Sequence, residues 1–239
     1  MIKEKRRALG IVFILALALA RPVPAAAPTA KDDVVDKDIQ RVQDSIRVLG
    51  EMMKEADKSI PKNLLVKSAG IAIIPGVIKA AYIVGGRHGN GILVVRGKDG
   101  GWSNPSFIKL TGGSLGLQLG VESADVILLF MTPRSVGNIT KGKFTLGADA
   151  GLAAGPIGRA AEASTDAQLK AEIYSYSRSR GLFAGLSLQG ASLSIDGKAN
   201  ERFYKLKGVG AQTIFEGKVV QAPDVAAKLR NALAESAGK

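Results

Sequence analysis

The chain has 239 residues, of which 46% are hydrophobic and 23% charged, the composition of a folded globular protein rather than a disordered one. It contains no cysteine, which excludes disulfides, thiolate metal sites, cysteine nucleophiles and attachment of lipid to a cysteine. The 29 glycines and an aromatic content of only 5% favour a tightly turned, β-rich body over a helical bundle.

The formal net charge of +12 is unevenly distributed. Residues 1–25 carry five basic and one acidic residue, and residues 31–58 carry six basic and eight acidic residues. Residues 59–239 therefore hold an excess of ten positive charges. A body this basic is expected to be attracted to an anionic surface, either lipid headgroups or nucleic acid. A solvated basic surface without a particular partner is the alternative.

Residues 1–25 have the pattern of a secretory signal peptide. A basic start from Lys3 to Arg7 precedes an apolar run over 8–20, and Val23-Pro24-Ala25 fits a small-residue cleavage site. The apolar run is shorter than the roughly 20 residues of a membrane-spanning helix. We predict cleavage within residues 20–27 and export of the mature protein to a bacterial periplasm. An uncleaved membrane anchor is the alternative.

Residues 33–58 form the clearest predicted helix. From Val35 to Ala56, apolar residues recur at alternating spacings of four and three, which is typical of one face of an amphipathic helix. The polar face is mixed and slightly acidic, whereas helices that lie on membranes carry mostly Lys and Arg there. We therefore expect the apolar stripe to pack against the body, with membrane contact as the alternative.

The remaining pattern predicts a short helix over 61–68, a series of strands and a C-terminal helix over 223–236. Ile71–Ile74 is typical of a buried strand ended by Pro75, and residues 80–96 of a hairpin. Further strands are predicted over 107–110, 123–131, 144–152, 173–176 and 185–195. The glycine-rich stretches 101–120 and 173–190 are interpreted as two halves of one β-rich core. We predict an α+β fold: a curved antiparallel sheet or partial barrel, flanked by an N-terminal amphipathic helix and a C-terminal helix.

Three patterns resemble a catalytic motif, a nucleotide-binding loop and a metal ligand, but the surrounding residues do not support any of them. Residues 112–116 match G-x-S-x-G around Ser114, but the one histidine, His88, precedes them and a strand pattern follows. Residues 137–144 approach a P-loop, but Phe144 stands where Ser or Thr would hold magnesium. His88 has no second histidine to share a metal, and no carboxylate motif supports one. We predict no enzymatic activity, no cofactor and no metal; a hydrolase using Ser114 is a third hypothesis.

Four segments resemble the SYLF domain family over roughly residues 33–222, with 223–239 predicted as a C-terminal helix and tail. The most specific motifs are Trp-Ser-x-Pro-Ser and Tyr-Ser-x-Ser-x-Gly-Leu-Phe-Ala-Gly. The segments are IPKNLLVKSAGIAIIP (60–75), GGRHGNGILVVR (85–96), GWSNPSFIKLTGGSLGLQLG (101–120) and YSYSRSRGLFAGLSLQGASLSIDG (174–197).

The resemblance implies binding rather than catalysis. Eukaryotic members of the family bind phosphoinositide membranes through basic residues and an amphipathic N-terminal helix, and some bind actin filaments. That helix corresponds to residues 33–58 here. Because an exported bacterial protein meets neither actin nor abundant phosphoinositides, we expect a bacterial phospholipid as the ligand and do not carry the actin activity over.

The hypothesised function is non-enzymatic binding of anionic phospholipid at the periplasmic face of an envelope membrane. Each basic side chain near an anionic surface contributes about 1 kcal/mol. Trp102 is the candidate interfacial aromatic, with an ordinary core position as its alternative. The candidate headgroup contacts are basic residues that border the glycine-rich corners: Lys79, Arg87, Lys109, Arg178 and Arg180.

The second hypothesis is a structural or protein-interaction module of the envelope, in which the glycine-rich surface receives a protein partner. A nucleic-acid partner is disfavoured by export and by the shortage of aromatic residues on which bases would stack.

Overall fold

A computed structural model describes residues 30–54, 59–81, 84–115, 120–158, 170–179, 182–183, 188–219 and 221–238. The predicted signal peptide and Arg180 lie outside these residues, as do positions 55–58 of the predicted N-terminal helix. In the described part of the chain, no helix is long and apolar enough to cross a bilayer.

The described residues form an α+β fold, as the sequence predicts. The helices are α1 (Ala30–Met53), α2 (Lys62–Lys67), α3 (Pro133–Thr140), α4 (Gly197–Tyr204), α5 (Ala211–Phe215) and α6 (Asp224–Ser236). The strands are β1 (Gly70–Ala81), β2 (Val84–Val95), β3 (Ser106–Leu115), β4 (Gly120–Phe130), β5 (Phe144–Thr145), β6 (Leu152–Ala154), β7 (Ile173–Ser179), β8 (Leu182–Phe183) and β9 (Ser192–Ile195).

The strands belong to one curled sheet that forms a half-barrel. Their order is β5-β9-β3-β2-β1-β4-β7-β6, and β8 pairs with β7 outside this path. The sheet is mixed, because β6 runs parallel to β7 while the other pairs are antiparallel. The two glycine-rich stretches contribute β3 and β7, so both belong to one sheet, as predicted.

One face of the sheet, here called the helical face, packs against α1, α2, α4 and α6. Side chains alternate between the faces along each strand, and Ile71, Ile92 and Ile127 lie on the helical face. Fully burying one such side chain contributes about 1.5–3 kcal/mol. The predicted packing of the N-terminal helix against the body is confirmed, since its apolar stripe is buried in this core. The buried helix residues include Val42, Leu49, Met52, Leu64, Leu65, Phe203, Leu229 and Leu233.

The other face, here called the second face, carries a separate apolar core. Ile74 and Val126 are fully buried there and belong to the same cluster as Val136 and Ile139 of α3. The ring of Phe144 in β5 contacts that of Phe130 in β4 in a tilted arrangement, with 6.5 Å between the ring centroids. Both faces of the sheet are therefore covered over the half that contains the start of β1.

The prediction that Pro75 ends a strand is wrong. β1 continues through Pro75, and its register with both neighbouring strands shifts between Ile74 and Val77, which marks a β-bulge. Gly76 adopts a φ of +57°, and its N–H donates to Asp125 Oδ1 at 2.9 Å. Because proline has no N–H to donate to the neighbouring strand, it is tolerated at such a bulge. The N–H of the next residue, Gly76, is satisfied by Asp125, 49 residues later in the chain.

The predicted hairpin over 80–96 is wrong, because residues 85–91 belong to β2 rather than to a turn. β1 and β2 do form an antiparallel pair, but it runs from Ala81 opposite Gly85 to Gly70 opposite Val95. The glycines of β2 allow close strand approach: a Cβ on Gly91 would stand 2.3 Å from the Ile73 carbonyl oxygen. The single predicted strand over 144–152 is wrong. It is interrupted by a turn in which Gly147 has a φ of +82° and Thr145 N–H donates to Asp149 Oδ2 at 2.6 Å.

Helices α3, α4 and α5 lie outside the sequence prediction. α3 begins with the favourable pair Thr132-Pro133, in which Thr132 Oγ1 accepts the Ser135 N–H at 3.3 Å. α4 begins at Asp196, whose Oδ1 accepts the Ala199 N–H at 3.2 Å. Both starts carry recognisable capping residues, but the helices are only eight residues long, so their periodicity is weak.

Candidate functional site

One end of the sheet extends beyond the helices. On the helical face of this end the side chains are exposed, including Ile78 of β1 at 49% and Val121 of β4 at 79%. Ile78 is the register partner of Ser123 and His88, and Ala80 is the partner of Val121. The two aliphatic side chains are therefore diagonal neighbours on adjacent strands. We call Ile78, Lys79, Arg87 and Val121 the free sheet end.

Lys79 and Arg87 lie on the second face of the free sheet end. They are directly opposite one another on β1 and β2. Like charges in this position repel one another and destabilise a sheet. Glu122 is the register partner of Lys79 on the other side. Neither cation has a carboxylate within 4.0 Å in the described part of the chain, although Arg87 is 9% exposed and reaches only the Gln189 carbonyl, at 3.5 Å.

The other two described cations from the sequence prediction are engaged in ion pairs on the helical face. Lys109 Nζ lies 3.2 Å from Asp196 Oδ2, which is 8% exposed. Arg178 Nη1 lies 3.7 Å from Glu51 Oε2 of α1. The structure therefore places the four described cations on two faces and four strands, and of these four it brings Lys79 and Arg87 together.

Trp102 is 8% exposed and belongs to the core of the helical face. The guanidinium carbon of Arg96 lies 4.0 Å from the centroid of its ring, a stacked cation–π contact. Its Nε1 is buried and has no hydrogen-bond acceptor in the part of the chain that the structure describes. Trp102 is thus buried like a core residue, but its ring also lines a cleft.

The cleft lies at the opposite end of the strands from the free sheet end, where β2 ends and β1 and β3 begin. It has a volume of about 960 Å³ and is bounded by the loop 95–104 and by α3, α5 and α6. A smaller cavity of about 380 Å³ adjoins it and shares Arg96, Trp102 and Arg230 with it. We call these three residues and the surrounding space the Trp102 cleft.

Arg96 is fixed in the Trp102 cleft by backbone carbonyls. Its Nε donates to Ser68 O at 3.1 Å, and its two Nη atoms donate to Gly100 O at 2.8 Å and Leu65 O at 2.9 Å. Burial lowers the pKa of Arg96 below its ordinary value, but an arginine remains protonated at neutral pH. The result is a rigid, partly buried cation stacked on an aromatic ring.

The sequence prediction did not identify Arg96 or Arg230 as site residues. Arg96 follows a predicted strand directly, and its position between strand and glycine turn is a signal that could have been used. Arg230 lies on α6 and donates to Asn104 Oδ1, 126 residues earlier in the chain. Only the fold reveals that contact, because α6 carries no motif around Arg230.

The rejected catalytic motif does not form a nucleophile elbow. Ser114 lies within β3, whereas a nucleophile elbow joins a strand to a helix. His88 is exposed in β2, with its Nε2 3.2 Å from Asn90 Nδ2. Among the described residues, no group of three His, Asp or Glu could hold a metal ion.

The described residues define a domain of the α+β class, a curled half-barrel flanked by helices. The model of the Ysc84 family, described as Las17-binding protein actin regulator, matches residues 111–236. The chain belongs to this family, in agreement with the SYLF resemblance of its motifs.

Relatives of known name are similar over much of the chain. LAS seventeen-binding protein 3 of Saccharomyces cerevisiae is 38% identical over 173 residues, which cover 71% of this chain and 37% of that protein. SH3 domain-containing YSC84-like protein 1 of Homo sapiens is 40% identical over 149 residues, 62% of this chain and 43% of that protein. The matched region therefore spans less than half the length of these relatives. The name of the yeast relative refers to binding, and the family description refers to actin regulation.

Proposed function

We propose that the chain is a non-enzymatic binder of anionic phospholipid membranes and that it docks through the free sheet end. The observation that carries this proposal is the combination found there. Two large aliphatic side chains, Ile78 and Val121, are exposed on one face. Two cations without a carboxylate partner in the described part of the chain, Lys79 and Arg87, are opposed on the other face.

Both halves of this combination favour a membrane interface. Moving an exposed Val or Ile side chain out of water contributes up to about 1.5–3 kcal/mol. Each basic residue near an anionic bilayer adds about 1 kcal/mol. The repulsion between Lys79 and Arg87, which destabilises the free protein, is relieved when phosphate groups approach them. The excess of positive charge over residues 59–239 adds long-range attraction to the same surface.

The predicted signal peptide assigns the membrane to the bacterial envelope, with docking from the periplasmic side. The family description names Las17 and actin. An exported chain would meet neither, so a bacterial phospholipid such as phosphatidylglycerol is the proposed ligand. In this proposal α1 stabilises the fold and does not contact the membrane, because its apolar stripe is already buried against the sheet.

The second candidate is an envelope protein-interaction module that does not bind lipid directly. It is favoured by the name of the yeast relative and by the family description, both of which refer to binding of Las17. In that case the exposed Ile78 and Val121 would be covered by a protein partner.

Co-sedimentation of the mature chain, residues 26–239, with vesicles distinguishes the two candidates. Vesicles of phosphatidylcholine alone and of phosphatidylcholine with phosphatidylglycerol are compared at low and high salt. We expect binding to the anionic vesicles that weakens as salt rises, because exposed charges are screened. Absence of binding to either composition would overturn membrane docking and leave the protein-interaction module.

A further inference from the structure

We propose that the Trp102 cleft binds one molecule of an amphiphilic anion, a phosphate or carboxylate group joined to an apolar chain. This second site lies apart from the free sheet end. Strands β1 and β2 separate the two, and their 12 residues each correspond to about 35–40 Å. The inference goes beyond docking on a membrane surface and does not depend on it.

The polar part of the cleft is cationic. Arg96 and Arg230 line both cavities, and neither has a carboxylate within 4.0 Å among the described residues. The acids nearby are already engaged with other groups. Asp99 Oδ1 accepts the Gly101 N–H at 3.0 Å. Glu216 accepts from Gln212 at 2.8 Å and pairs with Lys218 at 2.6 Å, and this hydrogen bond from Lys218 lowers the pKa of Glu216.

Trp102 offers a donor beside these cations. Its Nε1 is buried and has no acceptor among the described residues, and a buried donor without an acceptor destabilises a protein. Because Arg96 covers the face of the indole, an anion held by Arg96 lies close to the ring.

The remaining walls are largely apolar. Val95, Trp102, Pro133, Val136 and Phe215 line the larger cavity. Its volume of about 960 Å³ lies within the roughly 300–1,000 Å³ of small-molecule sites. Cations at one side and aliphatic or aromatic side chains at the other match a ligand with a charged head and an apolar tail. A bare inorganic anion would leave the apolar walls unused.

The single tryptophan of the chain provides the readout, because its ring lines the cleft. Dodecyl phosphate and dodecanoate, below their micelle concentrations, are titrated into the full-length chain while the Trp102 emission is recorded. We expect saturable binding of dodecyl phosphate, dodecanoate or both. Comparison of their affinities shows whether the cleft prefers a phosphate or a carboxylate. Inorganic phosphate and the uncharged dodecyl maltoside should bind at least about tenfold more weakly.

A substitution that fills the cleft tests the location. Gly137 of α3 lines the cavity, and a Cβ built on it meets no atom within 4 Å. Gly137→Leu should weaken binding at least about tenfold while the protein remains folded, since leucine is a better helix former than glycine. Gly50→Leu is the matched control, because Gly50 is an exposed position of α1 that also has open space around it.

A second variant tests the charge. Arg230→Gln keeps a hydrogen-bond donor for Asn104 but removes the positive charge. The substitution should weaken the binding of dodecyl phosphate without changing the weak binding of dodecyl maltoside. The proposal would be overturned if neither dodecyl phosphate nor dodecanoate bound, or if dodecyl maltoside or inorganic phosphate bound as tightly as they do. It would also be overturned if Gly137→Leu bound them as tightly as the unmodified chain. Vesicle binding by Gly137→Leu should equal that of the unmodified chain, so failure of this site is distinguishable from failure of membrane docking.

Discussion

Asp38 of α1 accepts two hydrogen bonds from Arg202 of α4, at 2.9 and 3.2 Å. The two residues are 164 positions apart, and Asp38 is only 1% exposed. Arg41 approaches the same carboxylate at 3.5 Å. The slightly acidic polar face of the N-terminal helix is thus partly directed into the body, where it joins α1 to the C-terminal part of the fold.

Asp38→Ala should destabilise the protein by about 3 kcal/mol, because it leaves a partly buried arginine without its carboxylate. Denaturant unfolding followed by circular dichroism measures the loss. Asp44→Ala on the same helix is the control. Asp44 is 36% exposed and its partner Arg47 is 52% exposed, and solvent-accessible pairs of this kind contribute about 0–1 kcal/mol. Equal effects of the two substitutions would show that the buried pair does not hold α1 to the body.

Gly91→Ala should be strongly destabilising. A Cβ at Gly91 would stand 2.3 Å from Ile73 O and 2.9 Å from Ile74 Cα, both backbone atoms that cannot move without disturbing the β1 bulge. We expect a loss of about 3 kcal/mol, the upper end of overpacking in a core. Gly113→Ala should be neutral or slightly stabilising, since a Cβ there meets nothing within 4 Å and alanine restricts the unfolded chain. Thermal unfolding of the two variants gives the comparison, and a neutral Gly91→Ala would contradict the close strand approach.

Burial raises the pKa of Tyr176 and of Tyr204 well above the ordinary value. Both phenols donate to backbone carbonyls, Tyr176 to Pro156 O at 3.2 Å and Tyr204 to Pro105 O at 2.6 Å. In the folded state they keep their protons at a pH where the unfolded chain loses them. Their contribution is therefore fully present below the unfolded pKa of about 10 and is lost as pH rises above it.

The unfolding midpoint in denaturant should fall as pH rises above about 10. Phenolate absorbance of Tyr176 and Tyr204 should appear only with unfolding. Tyr204→Phe should lower stability at neutral pH and reduce the loss in alkali, because one of the two raised groups is gone. A midpoint that stays constant, or phenolate absorbance of both residues in the folded protein, would contradict this assignment.

The elements that the sequence predicts well are those with long periodic stretches. The apolar stripe of α1 and that of α6 around Leu229 recur over several turns, so the sequence predicts both helices. The predicted bounds of α6 differ from the observed ones by one residue, whereas α1 begins three residues before its predicted start and ends at Met53. Pro75 misled the prediction because the N–H that follows it is satisfied by Asp125, which is far away in sequence. The glycines of β2 are typical of a turn in sequence, but in the fold they allow β1 to pack closely against β2.

The candidate sites were harder to predict, because their chemistry depends on contacts between distant residues. Lys109 and Arg178 border glycine-rich stretches as Lys79 does, yet Asp196 and Glu51 neutralise them in the fold. Local sequence around each lysine or arginine does not reveal such partners. The Trp102 cleft likewise combines Arg96 with Arg230 of α6, and only the packing of the C-terminal helix brings them together.

The most direct test of membrane docking compares Val121→Asp with Leu206→Asp in co-sedimentation with anionic vesicles. Both positions are exposed aliphatic residues, at 79% and 46%, and both substitutions add one negative charge. Leu206 lies between Lys205 and Lys207 in the connection from α4 to α5, outside the free sheet end. We predict that Val121→Asp abolishes most of the binding, whereas Leu206→Asp retains it. Equal binding by the two variants, or loss confined to Leu206→Asp, would contradict docking through the free sheet end.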